Sequence, residues 1–212
     1  MSNGAFALVP VKDPRRGKSR LSEVLDAAER AALNRQLARQ TFECCAAVLG
    51  PGQTVAVTAS EAIAAEAEAL GLLVVRESAP GDLNAALVLA AEAAIRRGAR
   101  ALLVVPTDLV LLTQEALRAA AQSVLQSPGC VLAPDRRGAG TNLLGVMPPR
   151  TDLFRFGEHS LEKHRAAARE AGLPVRVHAD PLLALDLDSP EDYRFWCCAG
   201  TLYSVAPGRF IA

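Results

Sequence analysis

Residues 101–109 read ALLVVPTDL, an unbroken apolar run followed by a proline, a threonine and an acid. A short apolar run without alternation is typical of a strand buried on both faces, as in parallel sheets covered by helices. The run delivers Asp108 just beyond the carboxyl end of that strand. The segment therefore predicts an α/β fold with an acid at the sheet edge where such folds bind ligands.

Strand-like and helix-like segments alternate along the whole chain. Seven further apolar or β-branched runs predict strands at 5–11, 54–58, 72–75, 130–134, 141–147, 175–177 and 182–187. Segments of good helix formers predict helices at 26–49, 61–70, 83–97, 114–125 and 158–171. Four of these helices end at a glycine, as helix C-caps do: Gly50, Gly71, Gly98 and Gly172. The alternation predicts a mainly parallel central sheet with helices on both faces.

Length and charge limit the class of ligand. The chain has 212 residues, with 23 Lys and Arg against 23 Asp and Glu. This length suits a single domain over residues 1–212, with a core at about 5–196 and a peripheral tail at 197–212. Balanced charge gives no global basic field for nucleic acid, so we expect a small charged substrate instead.

Cysteine usage and hydropathy bear on the compartment. The five cysteines show neither CxxC spacing nor a partner histidine cluster, and so predict reduced thiols: Cys44, Cys45, Cys130, Cys197 and Cys198. The sequence shows no signal-peptide pattern and no apolar run long enough to span a bilayer. We therefore expect a cytoplasmic protein without membrane contact, and a homodimer is compatible with the sequence.

Two carboxylates stand two residues apart near the C-terminus. Asp186 and Asp188 end the run 182–187, and side chains at i and i+2 of a strand share one face. They could bind cations together, or merely end a strand before the helix start predicted by SPED at 189–192. Asp108 at another predicted strand end favours a Mg²⁺ site, because this ion takes oxygen ligands and is completed by substrate phosphates.

The loop after the first predicted strand is strongly basic. Residues 10–21 read PVKDPRRGKSRL and place five basic side chains within nine residues. Lysine and arginine side chains, with the backbone N–H groups of a following helix start, bind phosphate. A solvated loop is the alternative for such a charge run, but its position at a strand end favours phosphate binding. The pattern GxxxxGK[ST] is absent, so this is not a Walker loop.

Two later segments place polar groups beside turns. Residues 134–142 read PDRRGAGTN, which is either a common turn or a turn that presents Thr141 to a ligand. Residues 154–161 read FRFGEHSL and set Gly157 and Ser160 around a predicted helix start. That start suits a small anion or is simply a capped helix beside two core phenylalanines.

Other polar residues carry weaker signals. Asn84 begins an apolar helix and is either a cap or a nucleotide contact. The three histidines, His159, His164 and His178, show no metal-like pairing, and the sequence assigns them no role.

An ordered set of motifs resembles a known family. The motifs are LVPVK with KSRL at 8–21, LNAA at 83–86, VPTDL at 105–109, APD to GTN at 133–142, FRFG to Ser at 154–160 and LDLD at 185–188. Over about residues 5–195 the chain resembles the CofC/FbiD-type guanylyltransferases of coenzyme F420 biosynthesis. The resemblance implies a MobA-like nucleotidyltransferase fold, which is Rossmann-like and similar to that of nucleotide-diphospho-sugar transferases.

The resemblance also implies a reaction and a set of site residues. GMP would pass from GTP to 2-phospho-L-lactate, phosphoenolpyruvate or 3-phospho-D-glycerate, with release of pyrophosphate. The Mg²⁺ ligands would be Asp108, Asp186 and Asp188, with Lys18 as a fourth catalytic residue. The nucleotide would contact Pro10, Val11, Lys12, Lys18, Arg20 and Asn84. The phospho-acid would contact Thr141, Gly157 and Ser160.

Two other classes of protein fit parts of the pattern. A Mg²⁺ phosphohydrolase of the haloacid dehalogenase kind also uses a DxD motif, but after its first strand, where this chain has the basic loop. A non-catalytic nucleotide-binding module would keep the basic loop without needing three acids.

Overall fold

The computed structural model describes residues 4–78 and 81–199. The strands are β1 (Ala5–Pro10), β2 (Thr54–Thr58), β3 (Leu73–Arg76), β4 (Ala101–Val104), β5 (Gly129–Pro134), β6 (Thr141–Met147) and β7 (Val175–Val177). Within the described residues these seven strands form one sheet in the order β3-β2-β1-β4-β6-β5-β7. β6 is antiparallel to β4 and β5, and the other strand pairs are parallel. The predicted mainly parallel sheet is confirmed.

Helices cover both faces of the sheet. They are α1 (Ala27–Leu49), α2 (Glu61–Ala69), α3 (Leu83–Arg96), α4 (Gln114–Gln126), α5 (Ser160–Glu170), α6 (Pro181–Ala184) and α7 (Pro190–Ala199). Leu103 of β4 packs among α1, α2 and α4, whereas Leu102 and Val104 pack among α3 and α5. Successive strand residues point to opposite faces, so both faces of β4 must be apolar. In the described part of the chain, every helix is too short or too polar to cross a bilayer.

The strand order creates a crevice at one edge of the sheet. From β1 the chain moves outward through β2 and β3, then returns to the other side of β1 as β4. Ligands of such sheets bind where the strand order reverses, outside the carboxyl ends of the strands. Because β6 runs antiparallel to β4, its first residue, Thr141, lies at the same edge.

The predicted strand at 182–187 is wrong. Pro181–Ala184 form the short helix α6, and the Asp180 carboxylate accepts a hydrogen bond from the Leu182 N–H. An acidic N-cap followed by proline favours a helix start, and a short apolar run does not distinguish a strand from a buried helix. Strand-like pairing remains at Asp186, as an isolated antiparallel bridge to Leu109.

The buried cysteines are unreactive thiols. Burial raises the pKa of Cys44 to about 11 and that of Cys130 to about 12, so both stay protonated. Cys45 is also buried, whereas Cys197 and Cys198 lie exposed on α7. The rest of the predicted tail, residues 200–212, lies outside the described residues.

Candidate active site

Backbone hydrogen bonds bring the segments that carry the three acids together. Asp186 pairs with Leu109 in the isolated bridge, and the Leu187 N–H donates to the Asp108 carbonyl over 3.0 Å. The bridge therefore does what the predicted strand was expected to do, since it holds Asp186 beside Asp108 at the end of β4. The predicted helix start is also confirmed, because Ser189 and Asp192 cap each other at the beginning of α7.

The two less exposed acids, Asp108 and Asp186, are called the inner acids, and their carboxylates repel each other. Burial and the neighbouring Asp108 raise the pKa of Asp186 to about 6, against a hydrogen bond from the Asn142 amide over 3.3 Å. Burial also raises the pKa of Asp108, while the charge of Lys18 lowers it. Close carboxylates with raised pKa values form a site that a cation would stabilise.

Lys18 joins the basic loop to the acidic segment. Its ammonium donates to the Leu187 carbonyl over 2.5 Å and lies 3.9 Å from Asp188 Oδ1. The Lys18 side chain is 9% exposed, whereas that of Asp188 is 53% exposed. Lys18 also adopts φ 56, a left-handed conformation that turns the loop just before the 3₁₀ helix Ser19–Glu23. The ammonium of Lys18, in the basic loop after β1, is thus held beside the segment that contains Asp186 and Asp188.

The acids suit Mg²⁺ as a pair that substrate would complete. Among the described residues, no group of three His, Cys, Asp or Glu side chains is close enough to hold a metal ion unaided. Mg²⁺, however, is usually bound by one or two carboxylates together with water and substrate phosphates. Asp108 and Asp186 offer hard oxygen ligands with mutual repulsion, and the exposed Asp188 lies two residues from Asp186. The three-acid metal site stays a prediction.

A cavity of about 360 Å³ lies at the crevice between β1 and β4. Its wall combines the cations Lys12, Arg16 and Lys18 with Asp108 and Asp188. This arrangement offers positive charge for a polyphosphate directly beside the acids.

The loop that forms this wall depends on a glycine. A Cβ at Gly17 would lie 2.7 Å from Asn34 Nδ2, which donates to the Pro14 carbonyl, also over 2.7 Å. The side chain of Asn34, on α1, thus holds the loop against the helix. No larger residue fits at position 17 without displacing that contact.

A second cavity of about 310 Å³ continues the first toward the ends of β2 and β3. The second cavity adds Val11 and Glu77, and the residues that line both cavities are Pro10, Lys12, Asp13, Arg16 and Leu83. Burial raises the pKa of Glu77, and the nearby charge of Lys12 lowers it. The crevice is therefore one cleft with a cationic and acidic end and a less polar end that contains a carboxylate.

The predicted nucleotide residues divide into two groups. Pro10, Val11, Lys12 and Lys18 line the cleft. Arg20 is exposed one residue beyond Ser19, the last residue of this loop to line the first cavity, so its phosphate contact stays a prediction.

Asn84 is not the cap of α3, and its nucleotide contact stays a prediction. Asp82 caps α3, and the Asn84 amide is bonded to the backbone of Phe156 instead. Its Nδ2 donates to the Phe156 carbonyl over 3.1 Å, and its Oδ1 accepts from the Phe156 N–H over 2.8 Å. Asn84 thereby fixes the segment before Gly157 to the start of α3.

The predicted acceptor residues Thr141 and Ser160 are in direct contact. The Thr141 N–H donates to Ser160 Oγ over 2.9 Å, and the two residues are only 6% and 3% exposed. Gly157 lies three residues before Ser160 with φ 128, and a Cβ there would meet open space. The helix that starts at Ser160 has no side-chain cap, and the Leu161 N–H in its first turn donates to the Ala139 carbonyl over 3.1 Å.

The turn predicted at 134–142 joins β5 and β6 and is fixed to two later helices. Arg136 in its turn donates from its backbone N–H to the Ala184 carbonyl and forms an ion pair with Asp192, both at 2.8 Å. These contacts fasten the turn to α6 and α7.

Sequence reasoning assigned no individual role to four residues of the site. Arg16 and Glu77 line the cleft. Arg16 belongs to the basic loop that the sequence predicted to bind phosphate, whereas only the position of Glu77 just after a predicted strand could have indicated its place. Asn142 follows Thr141, and strand alternation places it on the opposite face, toward Asp186. His164 lies four residues after Ser160, on the same face of a helix, where a contact with Ser160 or its neighbours was foreseeable.

A Rossmann-like sheet with a cationic loop and acids at its switch point is typical of nucleotidyltransferases, and solved structures with related names share the fold. A nucleotide-diphospho-sugar transferase from Desulfovibrio desulfuricans superposes with a TM-score of 0.72 at 18% identity, covering 97% of this chain and 94% of that one. A CMP:2-keto-3-deoxy-manno-octonic acid synthetase superposes with a TM-score of 0.59 at 11% identity, covering 95% and 97%.

The family is more specific than the fold. The family model described as guanylyl transferase CofC like matches residues 5–200, and the chain belongs to this family. It is 40% identical to the phosphoenolpyruvate guanylyltransferase of Rubrobacter xylanophilus, over 88% of this chain and 90% of that protein. It is 35% identical to the 3-phospho-D-glycerate guanylyltransferase of Phenylobacterium zucineum, over 89% and 87%. The resemblance noted from the motifs is confirmed, and the chain is a guanylyltransferase-type enzyme.

Proposed function

We propose that this enzyme transfers GMP from GTP to the phosphate of a three-carbon phosphorylated acid and releases pyrophosphate, as a step of coenzyme F420 biosynthesis. The observation that carries the proposal is the contact of Lys18 with Leu187 and Asp188, which joins the phosphate-binding loop to the acids. Relatives named for phosphoenolpyruvate and 3-phospho-D-glycerate support an acceptor of this class.

The cationic end of the cleft would hold the triphosphate. Lys12 and Arg16 line the cavity beside Lys18, so three positive charges are available to phosphate oxygens. Asp108, Asp186 and Asp188 would hold Mg²⁺, which when bound would neutralise charge on the α-phosphate and the departing pyrophosphate. The acceptor phosphate is already largely ionised near neutral pH, so in-line attack on the α-phosphorus needs no general base.

Glu77 supports guanine as the base. Its carboxylate lies in the second cavity, which continues from the phosphate-binding end of the cleft. A carboxylate accepts two hydrogen bonds side by side, and guanine presents two adjacent donors, the N1–H and the 2-amino group. Adenine presents an unprotonated N1 at the same edge and would repel the carboxylate. We therefore expect Glu77→Gln to reduce the preference for GTP over ATP.

The acceptor would bind where Thr141, Gly157 and Ser160 meet the start of α5. Two hydroxyl groups and a helix N-terminus without a side-chain cap suit an anionic group. Thr141 and Asn142 are consecutive at the beginning of β6, and Asn142, on the opposite face, contacts Asp186, so the acceptor would bind at the same end of this strand as the acids. Phosphoenolpyruvate is the first acceptor to test, because a relative with 40% identity is named for it.

The test is a product assay with the purified protein. GTP is incubated with each of the three acids, with and without Mg²⁺, and products are identified by mass spectrometry while pyrophosphate is quantified. We expect one guanylylated acid and one pyrophosphate per turnover, dependent on the metal. Release of GDP and inorganic phosphate without any guanylylated acid would instead favour a phosphohydrolase.

A further inference from the structure

Both ring nitrogens of His164 form hydrogen bonds in the proposed acceptor corner, the place where Thr141, Gly157 and Ser160 meet the start of α5. The residue is 1% exposed, and the edge of its ring packs against Phe156 at 4.7 Å between ring centroids. Its Nε2 accepts a hydrogen bond from the Arg155 backbone N–H over 3.0 Å. Its Nδ1 lies 2.9 Å from Thr141 Oγ1.

These contacts determine the position of the ring proton. A backbone N–H can only donate, so Nε2 must carry a lone pair and the proton of a neutral ring must be on Nδ1. Burial and the charge of Arg155 lower the pKa of His164 to about 4, so the ring is neutral near pH 7. The backbone of Ser160 raises the pKa and offsets these two effects only in part.

The protonated Nδ1 determines how Thr141 is oriented. It donates to Thr141 Oγ1 and cannot accept, so the single hydroxyl hydrogen of Thr141 must point to another acceptor. The same reasoning applies to Ser160, whose Oγ already accepts from the Thr141 N–H. Two hydroxyl hydrogens are thereby left to donate in one corner that is nearly shielded from water.

We propose that His164 is a positioning residue that turns the Thr141 hydroxyl hydrogen toward the carboxylate or phosphate of the acceptor acid. The proposal rests on the proposed function in taking the acceptor to bind at Thr141. It differs from a purely structural role, in which His164 would only tie the segment at Arg155 to α5. Donors fixed in advance favour an anion over a neutral analogue, because no donor must be reoriented on binding.

Two substitutions separate the contacts of the ring. In His164→Asn the amide nitrogen replaces Nδ1 and still donates to Thr141, whereas the contact with Arg155 is lost. In His164→Gln the amide oxygen replaces Nε2 and still accepts from Arg155, whereas the donor to Thr141 is lost. We expect His164→Gln to raise the KM for the acceptor about tenfold or more, and His164→Asn to raise it much less, with the KM for GTP unchanged in both. An equal loss for both variants, or parallel losses for GTP and acceptor, would show a structural role and overturn the proposal.

Thr141 gives a matched pair for the hydroxyl itself. Thr141→Ser keeps the donor and Thr141→Val keeps the shape, so only Thr141→Val is expected to raise the KM for the acceptor strongly. A Thr141→Val protein with the wild-type KM for the acceptor would overturn the proposal.

Nitrogen NMR of the labelled wild-type protein tests the tautomer without any variant. We expect the His164 ring to be neutral at pH 7 with its proton on Nδ1. A proton on Nε2, or an imidazolium, would overturn the proposal. Because this readout requires no turnover, it distinguishes a failed tautomer assignment from a protein that guanylylates none of the three acids.

Discussion

The ammonium of Lys18 binds the carbonyl of Leu187, which lies 169 residues further along the chain. This contact fastens the loop after β1 to the segment that carries Asp186 and Asp188. Burial raises the pKa of Asp108, and the positive charge of Lys18 lowers it. The basic loop after β1 and the acidic segment before α7 therefore belong to one interconnected unit.

Replacing Lys18 should weaken GTP binding more than acceptor binding. Lys18→Ala removes a cation from the wall of the first cavity, where the triphosphate is proposed to bind beside the acids. The proposed acceptor corner at Thr141 and Ser160 lies on other elements. We expect at least a tenfold increase in the GTP dissociation constant by titration calorimetry, about the loss of one charged hydrogen bond.

Two arginines of the same loop provide the comparison for Lys18. Arg16 lines the cavity and Arg20 does not, so Arg16→Ala should weaken GTP binding more than Arg20→Ala does. Equal effects from the two arginines would mean that the loop acts through its total charge and not through specific contacts.

Neutralising an inner acid should abolish turnover and stabilise the metal-free fold. Asp108→Asn and Asp186→Asn each remove one of two carboxylates that repel each other, as the raised pKa of Asp186 indicates. Relief of about 1 kcal/mol would raise the unfolding temperature by ~2–4 °C in a chain of this size. Calorimetric melting without metal measures this effect.

Asp152 is the control for that measurement. Its carboxylate is paired with Arg150, which lowers its pKa, so Asp152→Asn should leave stability unchanged or slightly reduced.

Near wild-type GMP transfer by Asp108→Asn at saturating Mg²⁺ would exclude Asp108 from the metal site.

The acceptor corner should lose stability in mild acid. The pKa of His164 is about 4 in the folded protein, below the ordinary 6.5 of an unfolded chain. Between these values the unfolded protein binds more protons, so the free energy of unfolding falls as pH decreases from about 6.5 to 4. The full effect is about 3 kcal/mol, since the residue is buried.

Denaturant titrations across this pH range measure the effect. His164→Gln should flatten the pH dependence, whereas substitution of the exposed His159 by Gln should leave it as in the wild type. A wild-type curve that is flat between pH 4 and 6.5 would be incompatible with a buried neutral His164.

Gly157 should matter for the acceptor through its backbone conformation. At φ 128 a side chain is strained even though a Cβ would meet open space. Gly157→Val should raise the KM for the acceptor and spare that for GTP, because the strain changes the path of the backbone toward Ser160. Steady-state kinetics with each substrate varied in turn give both constants.

Gly98, just after the end of α3, is a matched control. It also has a positive φ, 83, and a Cβ at this position would also meet open space. Gly98→Val should lower stability without changing either KM. A Gly157→Val protein that loses GTP affinity and keeps acceptor affinity would contradict the division of the cleft.

Strands with strong burial patterns were predictable, whereas short turns at the site were not. ALLVV at 101–105 is typical of a doubly buried strand, and the position of this run placed Asp108 at the crevice. LLALDLD at 182–188 was ambiguous, because Pro181 and Asp180 start a helix that the apolar pattern alone does not distinguish from a strand. The acids nevertheless converge, through an isolated bridge that sequence pattern does not encode.

Contacts between distant elements were the least predictable part of the site. The partners of Asn84 and His164, Phe156 and Thr141, depend on how α3, α5 and β6 pack, which is a property of the fold and not of any local motif.

Transfer of GMP onto the acceptor phosphate is the central claim, and an isotope experiment tests it most directly. Phosphoenolpyruvate with heavy oxygen in its phosphate is incubated with GTP, Mg²⁺ and the wild-type enzyme, and the products are separated by mass spectrometry. Because an acceptor oxygen attacks the α-phosphorus, all of the label should remain in the guanylylated acid and none should enter pyrophosphate. Label in pyrophosphate or in free phosphate would contradict the account.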